Sequence, residues 1–324
     1  PQGRKTASVM NIYRGFDELS PSQRRTGGTV VTIGTFDGVH TAHAEILKTL
    51  VEEAHRRNAT SAVVTFSPHP RALFSPHAGV RLLSDEREKA RLIEAYGVDL
   101  LIVQPFTQAF AALSAEEFLR EDLVGKLGTT LVVTGYDHSF GREKYNAFDF
   151  LTKVGPRYGV EAIRIPRLEI GGITVSSSSV RRAVEGGDIA LARTLLGRPY
   201  SLYGTVVRGK QLGRTLGHPT ANIRVEEPAK LLPPDGVYAV RVHVSQEVFG
   251  GMMNIGMRPT VDDYPGRSIE VNLFDFDRDI YGQTLSVEIL AWVRSEVKFS
   301  SLDNLKQQLA KDARRCRELL QASR

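Results

Sequence analysis

The sequence is poor in sulfur and short of long apolar runs. Among 324 residues there is one cysteine, Cys316, and there are four methionines. A single thiol excludes a disulfide framework and a cysteine-rich metal site, and suits a cytoplasmic protein. No stretch approaches the roughly 18 apolar residues of a membrane span, so no membrane association is expected. The first residues, PQGRKTASVMNIYRG, lack the apolar segment of a signal peptide. There is no HExxH motif and no internal repeat. Charge of one sign does not dominate: the net charge is +5, with a pI near 9.3. The arginines are spread along the chain, so no nucleic acid is expected as a partner, whereas phosphorylated small substrates suit positive clefts. What remains is ordinary globular composition, 41% apolar and 24% charged, at a length that suits two domains.

One stretch organises the first half: Val30 to His43, VVTIGTFDGVHTAH. Its β-branched start suits a buried strand, Gly34 breaks it, and Asp37-Gly38 suits a turn. A helical stripe of Ile46, Leu47, Leu50, Val51 and Ala54 follows, from Thr41 to Arg57. His40 and His43 stand at the helix start, where unpaired N–H groups and a partial positive charge attract phosphate. A zinc site at these histidines lacks a third ligand, so phosphate contact is the better reading.

From Val30 to about Arg167 strands and helices alternate. Strands are expected at 62–66, 100–103, 131–133 and 159–164. A helix is expected over 84–96, capped by Ser84 and closed at Gly97, and another from a Ser114/Glu117 capping box to about Leu127. Such alternation implies a parallel sheet covered on both faces, with ligands at the carboxyl ends of its strands. His40, His69 and Asp137 all follow strand ends. Ser176 to Ser179, followed by Arg181 and Arg182 on a helix, makes a second phosphate grip.

After about Tyr200 the segments become short and β-rich, as in an antiparallel barrel or sandwich, with a final amphipathic helix from Leu302 to about Ala322. A near-match to a phosphate-binding P-loop at Gly204–Gln211 fails, because Gln211 stands where Ser or Thr is needed. Asp275, Asp277 and Asp279 imitate a calcium loop, but Ile280 occupies the glycine position. Thr220 and Asn222, two apart on an extended strand, offer oxygens to a hard cation such as Mg²⁺. Gly209, Gly213 and Gly217 let backbone approach phosphates. Glu270, taken to open a later strand, is the best carboxylate for a general base.

Together these motifs resemble the bacterial bifunctional riboflavin kinase/FMN adenylyltransferase (FAD synthetase) family. GTFDGVHTAH resembles its FDGVHxGH signature, Phe66–Pro70 its FxPHP, Gly135–Gly141 its GxDFxFG and Ser176–Arg181 its SSTxxR. In the second half GRTLGHPTAN, DGVYAV, NIGMRPT and Asp279–Gly282 are similar to the kinase motifs. Ala42, Ser67, His138, Ser178 and His218 differ from the pattern, and Asn146 lies where a glycine is usual. The resemblance implies an α/β parallel-sheet, Rossmann-like nucleotidyltransferase domain over 1–187. A β-barrel riboflavin kinase domain with a C-terminal helix would cover 188–324. It implies phosphorylation of riboflavin to FMN and adenylylation of FMN to FAD with release of pyrophosphate. ATP, riboflavin and FMN would be the partners, Mg²⁺ would accompany ATP, and FMN and FAD would be product and substrate rather than prosthetic groups. A homo-oligomer is allowed.

By the same resemblance, His40, His43 and Arg181 stabilise charge on the triphosphate. Gly34, Phe36, Asp37, Gly38, His69, Asp137, Ser177 and Ser178 bind nucleotide or substrate. In the kinase, Thr220 and Asn222 hold the metal–nucleotide, Glu270 deprotonates the ribityl hydroxyl, and Gly209, Gly213, Gly217, Pro219, Asn254 and Arg258 line the substrates. Two alternatives stay open: a riboflavin kinase with a weakened adenylyltransferase half, and a basic nucleotide- or RNA-binding regulator.

Overall fold

The β-branched runs of the first half assemble into strands and the apolar stripes into helices, as their periods require. The computed structural model describes residues 9–20, 26–74, 79–208, 219–257 and 266–322. They divide into two units, 1–177 and 178–324. In the first, the strands are β1 (Asn11–Tyr13), β2 (Thr29–Ile33), β3 (Thr60–Ser67), β4 (Leu100–Pro105), β5 (Thr129–Thr134), the hairpin β6 (Ser139–Phe140) and β7 (Tyr145–Asn146), β8 (Glu161–Arg164), and the hairpin β9 (Glu169–Ile170) and β10 (Ile173–Thr174). Six of them form a parallel sheet in the order β1-β4-β3-β2-β5-β8. β2 is buried along its whole length, as a continuous β-branched run demands. The short edge strand β1 and the two hairpins were not legible as periodic runs.

The helices of this unit are α1 (Thr41–Arg56), α2 (Pro70–Phe74), α3 (Glu86–Glu94), α4 (Gln108–Ala111), α5 (Ala115–Glu117) and α6 (Ala147–Val154). The Ser114/Glu117 capping box is present, and α5 runs on into wide π-type turns over Phe118–Lys126. One expectation is corrected. Asp85, not Ser84, caps α3, with Glu88 completing a capping box, and Ala95 rather than Gly97 closes it. Ser84 is drawn away because its amide and hydroxyl bond the Gly34–Val39 loop.

The helix α7 (Ser177–Glu185) begins at the division between the units, and α8 (Ile189–Leu196) follows, capped by Asp188 and ended by left-handed Gly197. The second unit is a closed antiparallel barrel of β11 (Tyr200–Val207), β12 (Ala221–Val225), β13 (Gly236–Val244), β14 (Glu247–Met257), β15 (Arg267–Leu273) and β16 (Thr284–Ser295), in the order β11-β12-β15-β14-β13-β16. Closure leaves no edge strand. The C-terminal helix, Leu302–Ala322, packs on the barrel: Cys316, Leu309, Ala313 and Leu320 meet Val237, Ala239, Met252 and Phe274. Arg294 clasps buried Asp312 through three hydrogen bonds of 2.6–3.1 Å. No described helix is long and apolar enough to cross a membrane.

Candidate active sites

In the first unit the loop from Gly34 to Val39 leaves the centre of the sheet, between β2 and α1. It is braced by hydrogen bonds to distant parts of the chain. The Asp37 carboxylate, 1% exposed, accepts from the Leu83 and Ser84 amides at 2.9 and 3.1 Å. The Gly38 amide donates to Ser84 Oγ at 2.9 Å, and Ser177 Oγ donates to the Asp37 carbonyl at 2.9 Å. Two non-glycine residues, Phe36 and Val39, sit at φ 47° and 38°. For a β-branched residue such a φ is strained, at about 1–3 kcal/mol. Gly38 has φ 80°, and a Cβ there would meet Leu83 at 2.9 Å.

This bracing sets the histidines. His40 takes the N-cap of α1, and its Nδ1 accepts from the His43 amide at 3.3 Å. A ring whose Nδ1 accepts carries the proton of its neutral form on Nε2, so Nε2 is the donor it can offer an anion. The two rings stack at 3.6 Å and 13°, and Phe36 packs 4.8 Å from His43. Phe36 and Asp37 are both turned into the protein interior, where they shape the loop. Ala42 lies within the first turn of α1 and has no positive φ, so a side chain fits the backbone at that position.

Two further candidates of this half, His69 and Asp137, lie at carboxyl ends of strands. His69 follows β3, and its Nδ1 accepts from the Arg71 amide at 3.1 Å, at the start of α2. Asp137 follows β5 and is exposed. Half-buried His138, beside it, is held down to about 4 by loss of solvent, against the pull of Asp137. It is neutral at pH 7 and behaves as an aromatic ring. Asn146 caps α6 through its Oδ1, which the Asp149 amide meets at 3.3 Å. Ser178 and Arg181 are three residues apart on α7, in the second unit.

In the barrel, strand register does the assembling. Glu270 pairs with Asn222 on β12 and with Asn254 on β14, so the three side chains share one face. Glu270 lies in the middle of β15, with three residues on either side, and does not open the strand as its sequence suggested. Thr220 Oγ1, just before β12, donates to Glu270 Oε2 at 3.3 Å. Buried Asn272 holds the Pro219 carbonyl at 2.8 Å and so fixes the entry to β12. Beside Thr220 a cleft of ≈ 400 Å³ is lined by Val206, Phe276, Asp277, Asp279 and Tyr281.

Gly209, Gly213, Gly217 and Arg258 lie outside the described residues. Among the described residues no three His, Cys, Asp or Glu side chains are grouped to hold a metal ion. The hydroxyl of Thr220 and the amide oxygen of Asn222 fit a hard cation better than a soft one. Sequence reasoning missed Lys89 and read Ser84 only as a helix cap. It read Asp37 as a ligand contact, while the carboxylate is occupied by backbone amides 46 and 47 positions away. No local spacing signals a bond of that reach.

Comparison with known proteins agrees with this division. Residues 22–179 match the family model described as FAD synthetase, and residues 196–320 the one described as riboflavin kinase. The bifunctional riboflavin kinase/FMN adenylyltransferase of Escherichia coli K12 is 38% identical over 310 residues, which are 95% of this chain and 97% of that protein. The protein of the same name from Bacillus subtilis strain 168 is 36% identical over 288 residues, covering 88% and 90%. A crystal structure from Streptococcus pneumoniae, described as a macrolide-efflux protein, superposes with a TM-score of 0.83 at 31% identity, covering 94% of this chain and 97% of that one. The chain belongs to the family of bifunctional riboflavin kinase/FMN adenylyltransferases.

Proposed function

We propose that this chain makes FMN from riboflavin in its barrel and FAD from FMN in its α/β half, residues 188–324 and 1–187 respectively. Its partners are ATP, riboflavin and FMN, and its setting is the cytoplasm. The observation that supports the reading most directly is the convergence of Thr220, Asn222, Asn254 and Glu270 on one barrel face. The stacked, helix-capping histidines of the other half complement it.

In the kinase reaction Glu270 takes the proton of the ribityl hydroxyl as that oxygen attacks the γ-phosphorus of ATP. The bond from the γ-phosphorus to the bridging oxygen breaks, and ADP leaves. Mg²⁺, held with the nucleotide by Thr220 and Asn222, supplies charge neutralisation when bound. Phosphoryl transfer needs chiefly positioning and electrostatics, so no nucleophilic side chain is required. The 3.3 Å contact between Thr220 and Glu270 holds the base beside the metal-binding hydroxyl. Pro219, whose carbonyl is fixed by Asn272, sets where Thr220 stands.

In the second reaction an FMN phosphate oxygen attacks the α-phosphorus of another ATP, and the bond to the β-phosphate side breaks to release pyrophosphate. The nucleophile is already anionic and needs no strong base. His40 Nε2, His43, Ser178 and Arg181 stabilise charge on the triphosphate, while Ser177, whose hydroxyl proton goes to the Asp37 carbonyl, holds the loop beside it. Gly34 and Gly38 let the loop follow it closely, with Phe36 and Asp37 setting that loop's shape. His69 and Asp137 stand at strand ends where flavin or nucleotide is held. Incubation with riboflavin, Mg²⁺ and ATP, followed by chromatography, tests the reading: FAD accumulates. If FMN alone accumulates, and supplied FMN is not adenylylated, the α/β half is not an adenylyltransferase.

A further inference from the structure

Lys89 is an unexpected tenant of the first unit. It lies on α3 and is only 9% exposed, although burying an ammonium is costly and an apolar side chain could fill the same space. Its Nζ donates to Thr65 Oγ1 at 3.3 Å, and Thr65 Oγ1 in turn donates to the Thr35 carbonyl at 3.1 Å. A threonine hydroxyl has one proton, so giving it to Thr35 leaves its lone pairs for the ammonium. The chain of bonds thus has a fixed direction, from α3 through β3 into the loop that precedes His40. The acids that face Lys89 are Asp37 and Glu86. Asp37 is itself the second brace of that loop, through the Leu83 and Ser84 amides. A loop holding Phe36 and Val39 at positive φ persists only if its surroundings fix it.

We propose that Lys89 is a positioning residue for adenylyl transfer, bracing the Gly34–Val39 loop through Thr65 so that His40 and His43 meet the triphosphate in the productive geometry. This rests on the adenylyl-transfer reading given above. Lys89 touches no reacting atom. It acts on the histidines through the loop, so its loss lowers the rate of the chemical step more than the affinity for ATP. Burial, opposed by Asp37 and Glu86, holds its ammonium below the ordinary lysine range. The adenylyl-transfer rate therefore falls at alkaline pH as the brace loses its charge.

The test uses the full chain, with riboflavin phosphorylation as the internal control for folding. Lys89→Met should lower kcat for FMN adenylylation by about 10- to 100-fold, the scale of a small misplacement of catalytic groups. Its KM for ATP should stay within about twofold of wild type. Thr65→Val should show a loss of similar size, and the double variant should be no worse than Lys89→Met. The alkaline fall of the wild-type profile should be absent in Lys89→Met, and riboflavin phosphorylation should be unchanged in all three. Wild-type kcat in either single variant overturns the proposal, as does an alkaline fall that survives in Lys89→Met or a rise in KM at constant kcat. A wild-type chain that makes no FAD from FMN overturns it together with the reading on which it rests.

Discussion

The two proposed sites are built by opposite means. In the barrel, neighbouring strands in register carry Asn222, Glu270 and Asn254 to one face, and side-chain hydrogen bonds add Thr220 to it. In the α/β half, the site is a strained loop held from outside itself, by Leu83 and Ser84 through Asp37, by Thr65 and by Ser177. A register-built site is stiff because moving it means unzipping a ladder. A braced loop is only as well placed as its braces, so distant substitutions should harm it more than they harm the barrel.

The largest effect should come from Glu270→Ala. Loss of the proposed general base should lower riboflavin phosphorylation by about 10²- to 10⁴-fold, while supplied FMN is still adenylylated. A comparable loss of both activities would mean that the two sites are not independent. Next is His43→Ala, which removes the proposed charge-stabilising donor and should cost FAD formation about 10²- to 10³-fold, with FMN formation spared. Gly38→Ala combines a positive φ with a Cβ 2.9 Å from Leu83. It should destabilise the first unit by about 1–3 kcal/mol, read as an earlier thermal transition, without slowing the kinase.

The smallest effect concerns His138. Its folded value of about 4 lies below the ordinary 6.5, so the unfolded chain binds the extra proton between those pH values. Stability should therefore rise from about pH 4 to about pH 6.5 and be lost again on acidification. Half-buried as the ring is, about 1 kcal/mol is the expected share. His138→Phe should flatten that slope in denaturant titrations and leave the pH 7 stability near that of the wild type.

Most of the architecture was legible in the chain. β2 is a continuous β-branched run, α1 shows its apolar stripe, and the C-terminal helix runs from Leu302 to Ala322 as its periodicity indicated. Such features are local, and the physics that makes them acts within a few residues. The barrel face was half legible: Thr220 and Asn222 two apart could be placed together, but the meeting with Glu270, 50 positions on from Thr220, depends on strand order. The braces of the loop were not legible. Lys89 carries no local signal, and Ser84 reads as a helix cap, until tertiary packing gives both a distant partner. His138 and Asn146 stand out as departures from a family pattern, yet one is a neutral ring and the other a helix cap.

Complementation in trans tests the central claim, two independent sites in one chain, most directly. Glu270→Ala and His43→Ala are each incubated with riboflavin, Mg²⁺ and ATP, alone and then mixed, and the flavins are separated. The account predicts unreacted riboflavin from the first, FMN from the second, and FAD only from the mixture, as FMN released by one variant is adenylylated by the other. A mixture that yields no FAD, from a wild type that does, would contradict it.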